Sequence, residues 1–214
     1  MNHDRPKRTG LARRNLALLL AIAWGDAVAA GVIARAADSA GAPVIEAVVY
    51  LLPTGTKPSV TPRAGIVDQV NKEFLPMVVP VQLGAAVSFP NKDNIRHHVY
   101  SFSPAKVFQL KLYSGTPSKP VVFDKLGPVV LGCNIHDWMV GYIYVVDTPY
   151  FAKTDGTGTA RLDSLPSGDY ELRIWHPHSR AEVPPSAIKL AEGTTENVAF
   201  RLELAPPQSV PDRE

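Results

Sequence analysis

A single cysteine in a chain of 214 residues leaves no second thiol for an internal disulfide. Methionine is nearly as scarce, at three including Met1, so no Met-rich surface exists to hand a metal on. From Gly31 onward almost no stretch keeps helical spacing. The apolar run near the N-terminus falls short of the ~20 residues that a membrane-spanning helix needs. Nucleophile elbow, phosphate loop and zinc-protease helix motifs are all missing, and there is no internal repeat. These absences argue against a disulfide scaffold, a helical bundle, a solenoid and the familiar hydrolase and nucleotide-binding classes. What is present is 45% hydrophobic and 20% charged, with Pro 20 and Gly 15, a balance that suits β-strands joined by turns. The length accommodates one large domain or two small ones.

Arg5, Lys7, Arg8, Arg13 and Arg14 precede an apolar run from Leu16 to Ala23, and Ala27-Val28-Ala29 follows with small residues where a signal peptidase reads. That order predicts a secretory signal over residues 1–29, with a retained anchor as the alternative. Arg13-Arg14 is a weak cue for the twin-arginine route. Cleavage after Ala29 removes five basic and two acidic side chains, turning the formal charge from +2 to −1. No case for nucleic-acid binding survives that change. The expected location is periplasmic, with no stable membrane span after cleavage.

Export sharpens the question of the lone thiol. Oxidising compartments favour paired cysteines, so Cys133 is either buried and inert or bound to something. Its neighbours in Cys133-Asn134-Ile135-His136-Asp137-Trp138-Met139 point to the second option. Thiolate and imidazole are strong copper ligands, and a thioether is a soft, weak one suited to an axial position. Val129-Val130-Leu131 before the loop and Ile143-Tyr144-Val145-Val146 after it read as strands, which would hold Cys133, His136 and Met139 around one point. A further ligand must come from elsewhere, and His97 and His98 both qualify. Zinc on Cys plus two His is the competing metal.

Short apolar runs bounded by Gly, Pro, Asn and Asp predict strands at Val44–Leu52, Met77–Val81, Ala85–Pro90, His98–Ser103, Val121–Asp124, Val129–Cys133, Gly141–Val146, Tyr170–Trp175 and Asn197–Leu204. Pro104–Lys111 is expected to hold a turn of helix. Residues 205–214 read as a disordered tail. His176 and His178 are read as surface residues, Trp138 and Tyr142 as packing beside the ligands, and Lys92, Arg96 and Lys106 as a solvated rim.

Gly84, Val87, Phe89, Asn91 and Asp93, followed by His97 and the Cys-x-x-His-x-x-Met loop, resemble the cupredoxins. The loop has the short spacing of amicyanin rather than the longer one of plastocyanin. The resemblance implies a Greek-key β-sandwich over residues 62–147, with one copper per chain held by His97, Cys133, His136 and Met139. Where the family carries Asn after its first histidine this chain has His98, which stands as the alternate ligand. The flanks, Ala37–Leu51 and Thr154–Trp175, resemble the beginning and end of a carboxypeptidase regulatory-like, transthyretin-type sandwich. The expected organisation is therefore an all-β chain with the copper block inserted into a discontinuous domain of residues 30–61 and 148–204. Two loose extensions around a single sandwich are the alternative. Asp93–Ser103, Pro120–Phe123, Cys133–Tyr150 and Trp175-His176-Pro177 also resemble bacterial proteins labelled methylamine utilization protein.

What the cupredoxin resemblance implies is electron transfer through a type 1 copper, with a redox partner protein and no enzymatic activity. The competing expectation is copper sequestration or delivery, or a partner-binding scaffold in which copper is structural.

Overall fold

Runs rich in Val, Ile, Tyr and Phe become strands here because branched and aromatic side chains pack well on a pleated surface, and turn residues separate them. The computed structural model describes Met1, residues 29–59 and residues 61–206. The expected export segment, apart from Met1 and Ala29, and the expected tail from residue 207 lie outside the described residues. In chain order the strands are β1 (Ala30–Asp38), β2 (Val48–Pro53), β3 (Gly65–Ile66), β4 (Asp68–Val70), β5 (Glu73–Leu75), β6 (Val78–Gln82), β7 (Ala86–Ser88), β8 (His97–Ser103) and β9 (Lys106–Tyr113). They continue with β10 (Val121–Val122), β11 (Gly127–Gly132), β12 (Val140–Val146), β13 (Phe151–Lys153), β14 (Thr159–Leu165), β15 (Gly168–Trp175), β16 (Ser186–Leu190) and β17 (Thr195–Leu202). The class is all-β, as expected. No helix among the described residues is long and apolar enough to cross a membrane.

Strands β6, β12, β11, β8 and β9 form one sheet in that order, and β10, β7 and β3 form a smaller one. Alternation along β8 and β12 sends Val99, Ile143 and Val145 inward, where they meet Val87, Phe89 and Phe123. Phe89, Phe123, Leu131 and Ile143 are at most 1% exposed, each contributing about 1.5–3 kcal/mol of burial. A small hairpin, β4–β5, turns through Asn71 and Lys72, both at positive φ (54° and 61°), the primed turn whose twist matches its strands. The hairpin lies against β12, because a side chain at Gly141 would meet Phe74 Cβ at 2.8 Å.

The flanks pair with each other. β14, β1 and β17 form one sheet, and β13, β2, β15 and β16 form another. Between them lies a separate core that includes Val32, Ala34, Leu51, Leu162, Leu172 and Leu202. Where the two cores abut, Val48, Tyr50, Val78 and Val146 are buried together and Trp175 stacks on Tyr144 at 4.4 Å. Lys153 Nζ donates to Glu46 and to the Val78 carbonyl at 2.8 Å, tying β13 to the start of β6.

Two expectations are corrected. Pro104–Lys111 holds no helical turn: Pro104 and Ala105 form a tight turn, and β9 pairs with β8 from Ser103↔Lys106 to His97↔Tyr113. His176 is no surface residue either. It is 7% exposed, its Nδ1 accepts from the His178 amide, and burial, followed by the charge of His178, pushes its pKa down to about 4.

A neutral histidine held that low has a consequence for stability. The unfolded chain takes up a proton near pH 6.5 while the folded one does not, so stability decreases as pH falls from about 6.5 towards about 4. The loss is at most about 3 kcal/mol. Urea unfolding at pH 7 and pH 4.5 should show it in the parent protein, and a His176→Gln variant should lose most of that dependence.

Candidate metal centre

Strand β11 ends at Gly132 and β12 begins at Val140, directly opposite it in the ladder. The loop Cys133–Met139 therefore closes a hairpin whose two ends are pinned, and the Met139 amide donates to the His136 carbonyl at 3.0 Å within it. Gly132 also pairs with Tyr100 on β8, whose ring would lie 2.7 Å from any Cβ at Gly132. A side chain beside the cysteine would therefore have to displace the end of the Tyr100 ring. At the head of β8, His97 enters on the inward face.

His97 Nδ1 and His136 Nδ1 each lie 3.9 Å from Cys133 Sγ. The three donor atoms all fall within 4.8 Å of one another. Two donors each ~2.0–2.3 Å from a shared ion stand roughly 3.5–4 Å apart, so the spacing fits a common metal. His97 is fully buried, Cys133 is 3% exposed, and His136 is half-buried, its ring 5.0 Å from that of His97. Burial, then the His97 and Lys72 charges, hold the His136 pKa below its usual value, which favours the neutral imidazole a metal needs.

Met139 is buried at 1% in the same core cluster as Cys133. His98 faces away from the cluster, as a strand neighbour of an inward residue must. Gln109 Nε2 lies 2.7 Å from its Nε2, its ring packs on Tyr100, and its Nδ1 is buried without a partner. The structure brings His97, Cys133 and His136 together and leaves His98 outside. Trp138 packs on His136 at 5.2 Å, while Tyr142 packs on Trp175 and His178. Of the basic rim, Lys92 pairs with Asp68 and Lys106 with Asp124.

Sequence reading missed the supports. Asp93 Oδ2 is 2.7 Å from His97 Nε2, and the carboxylate also accepts from the Asn71 amide at 2.6 Å and the Lys72 amide at 2.9 Å. Burial pushes its pKa upward, but the Lys72 amide, the His97 ring and the Asn71 amide outweigh that and hold it below the usual carboxylate value. Asn91 Nδ2 donates to the Ile95 and Tyr113 carbonyls, and Asn91 Oδ1 accepts from the Asp93 amide. Tyr113 donates to the Phe89 carbonyl at 2.6 Å and is bonded by Gln69. Burial raises the Tyr113 pKa to about 12. Asn91 and Asp93, six and four residues before His97, carried a local signal as part of the motif that leads to it. Gln69 and Tyr113 carried none, since only folding brings them to the loop.

No protein-family model matches the chain, and no curated protein matches it. Among solved structures, the reduced Cu(I) form of an amicyanin mutant is similar at 18% identity and a TM-score of 0.36, covering 39% of this chain and 82% of its own. A copper-containing nitrite reductase from Thermus scotoductus is similar at 24% identity and 0.37, over 44% of this chain and 25% of its own. A Sinorhizobium pseudoazurin stands at 23% and 0.32, over 41% and 76%. The chain itself is an all-β protein with a buried His-Cys-His cluster at one end of a sandwich. The chemistry of that cluster rests on its donor set and spacing.

Proposed function

We propose that this chain is an exported cupredoxin that carries single electrons through one copper per chain, held by His97, Cys133 and His136 with Met139 as the weak axial donor. The observation that carries this reading is the convergence of two imidazole Nδ1 atoms on one buried thiol at 3.9 Å each. A thiolate, two imidazoles and a distant thioether suit both Cu(I) and Cu(II), so bound copper supplies a one-electron couple. The chain's part is to hold that geometry in both states. Its means are a loop pinned at Gly132 and Val140, a fully buried His97, and a core in which Cys133 and Met139 are packed.

Burial also favours electron transfer over copper delivery. Handing a metal on needs accessible, exchangeable ligands, whereas Cys133, His97 and Met139 are 3%, 0% and 1% exposed. Of the proposed ligands His136 alone is half-buried, next in the chain to the exposed Ile135, and a redox partner protein would dock there. The flanking strands, in this proposal, form the discontinuous transthyretin-like sandwich of residues 30–61 and 148–204 around the copper block, in a periplasmic protein without enzymatic activity.

The test is Cu(II) titration of the full chain and of two neighbouring variants. His97→Gln is expected to lose the intense visible band and at least about 100-fold in copper affinity, more than an outer-shell change costs. His98→Gln is expected to keep both. Equal losses in the two variants, or a loss in His98→Gln alone, would overturn the ligand assignment. Rapid transfer of copper to a chelator, with no stable reversible couple, would favour delivery instead.

A further inference from the structure

A carboxylate has no proton to give, so the 2.7 Å contact between Asp93 Oδ2 and His97 Nε2 needs the proton on Nε2. The lone pair is then on Nδ1, the atom that faces Cys133 Sγ at 3.9 Å. His97 is fully buried, so bulk solvent does not compete for its ring. Asp93 is itself held from a second element: the Asn71 and Lys72 amides donate to it from a turn in which both residues have positive φ. The same Lys72 sets its Nζ 5.9 Å over the Trp138 ring, and that ring packs on His136. One hairpin turn thus touches the surroundings of both histidines.

From this geometry we infer that Asp93 is a positioning residue for the metal centre: it fixes His97 in the tautomer whose Nδ1 is the donor, and the β4–β5 turn holds Asp93 in place. The inference rests on the reading of His97 as a copper ligand. A carboxylate behind a ligand imidazole raises its basicity, so Asp93 favours Cu(II) over Cu(I) and draws the reduction potential down.

Two measurements test it. Nitrogen-15 NMR of the metal-free full chain reports the His97 tautomer directly. Nε2–H is expected in the parent protein, with a mixture or exchange in Asp93→Ala; Nδ1–H in the parent protein overturns the inference, whatever copper does. Copper affinity and midpoint potential are then compared across Asp93→Asn, Asp93→Ala and Asp137→Asn. The last removes the same charge from the exposed loop without touching His97. Asp93→Ala should bind copper 10–100-fold more weakly, and Asp93→Asn should raise the potential more than Asp137→Asn does. Parent-like affinity and potential in both Asp93 variants also overturn it. Should Asp93→Ala not fold, the parent tautomer and Asp93→Asn decide the matter. Failure of the parent protein to bind copper would instead sink the proposed function, leaving the tautomer result standing.

Discussion

Cys133→Ser is expected to abolish the strong visible absorption of the copper-loaded protein and to weaken copper binding by well over ~100-fold, beyond what outer-shell changes produce. The thiolate is the softest donor in the cluster, and both imidazoles are aimed at its sulfur. A serine hydroxyl is harder, stays protonated, and gives no comparable charge-transfer band. The variant should still fold, because serine is close in size and the site is one position in a core containing Phe89, Phe123, Leu131 and Ile143. Burying a hydroxyl in place of the 3%-exposed thiol should destabilise the metal-free protein by roughly 1–3 kcal/mol. Titration followed by absorbance and far-UV circular dichroism separates the two effects. Colour that survives in Cys133→Ser would exclude the thiolate as a ligand.

Gly158→Ala is expected to be the most damaging small substitution outside the metal centre. Gly158 sits at φ +72°, and an added Cβ would lie 2.5 Å from the Ala36 carbonyl oxygen and 3.1 Å from Pro43 Cβ. Its own carbonyl accepts the Ala36 amide at 2.8 Å, and Asp155 shapes the turn by accepting from the Thr157 and Thr159 amides. Backbone has no rotamer to retreat into, so the clash must shift β1 or β14. The left-handed conformation alone costs about 1–2 kcal/mol, and with the displaced pairing the total should reach roughly 3–5 kcal/mol. Gly156→Ala, two residues earlier, meets nothing within 4 Å and should change stability by less than about 0.5 kcal/mol. Guanidinium unfolding of the two variants checks the contrast. Since Gly158 belongs to the flanking sheets, its folded fraction should keep the parent copper spectrum.

The parts of this architecture that are local in sequence are the parts that can be read from it. Cys133 and His136 lie on one short loop between two apolar runs, so bringing them together needs only a hairpin. β8, β12 and β15 carry enough branched and aromatic residues to be recognised. β1 does not: Ala30–Asp38 is mostly alanine and glycine, and it is a strand because β14 and β17 pair with it on either side. β9 misleads for a related reason. Phe108 and Leu110 turn inward, but Val107 and Leu112 are exposed at 67% and 48%, which blurs the alternation that marks a strand. Pairing with β8 then overrides the weak local preference.

The choice between His97 and His98 shows the same boundary. The two are adjacent, chemically identical and both buried, so composition cannot rank them. Strand parity separates them, placing His97 beside Cys133 and His98 beside Gln109. Asp93 and the Asn71–Lys72 turn lie further beyond sequence reading, since their contact joins residues 21 and 22 positions apart. It depends on positive φ at both turn residues, which Asn71 favours but Lys72 does not announce.

The most direct test of a type 1 copper centre is the paired visible and electron paramagnetic resonance spectrum of the protein loaded with one equivalent of Cu(II). An intense visible band is expected together with unusually narrow copper hyperfine splitting. Both should vanish on mild reduction and return on reoxidation. A colourless complex with the broad splitting of ordinary Cu(II), or no stoichiometric binding at all, would contradict it.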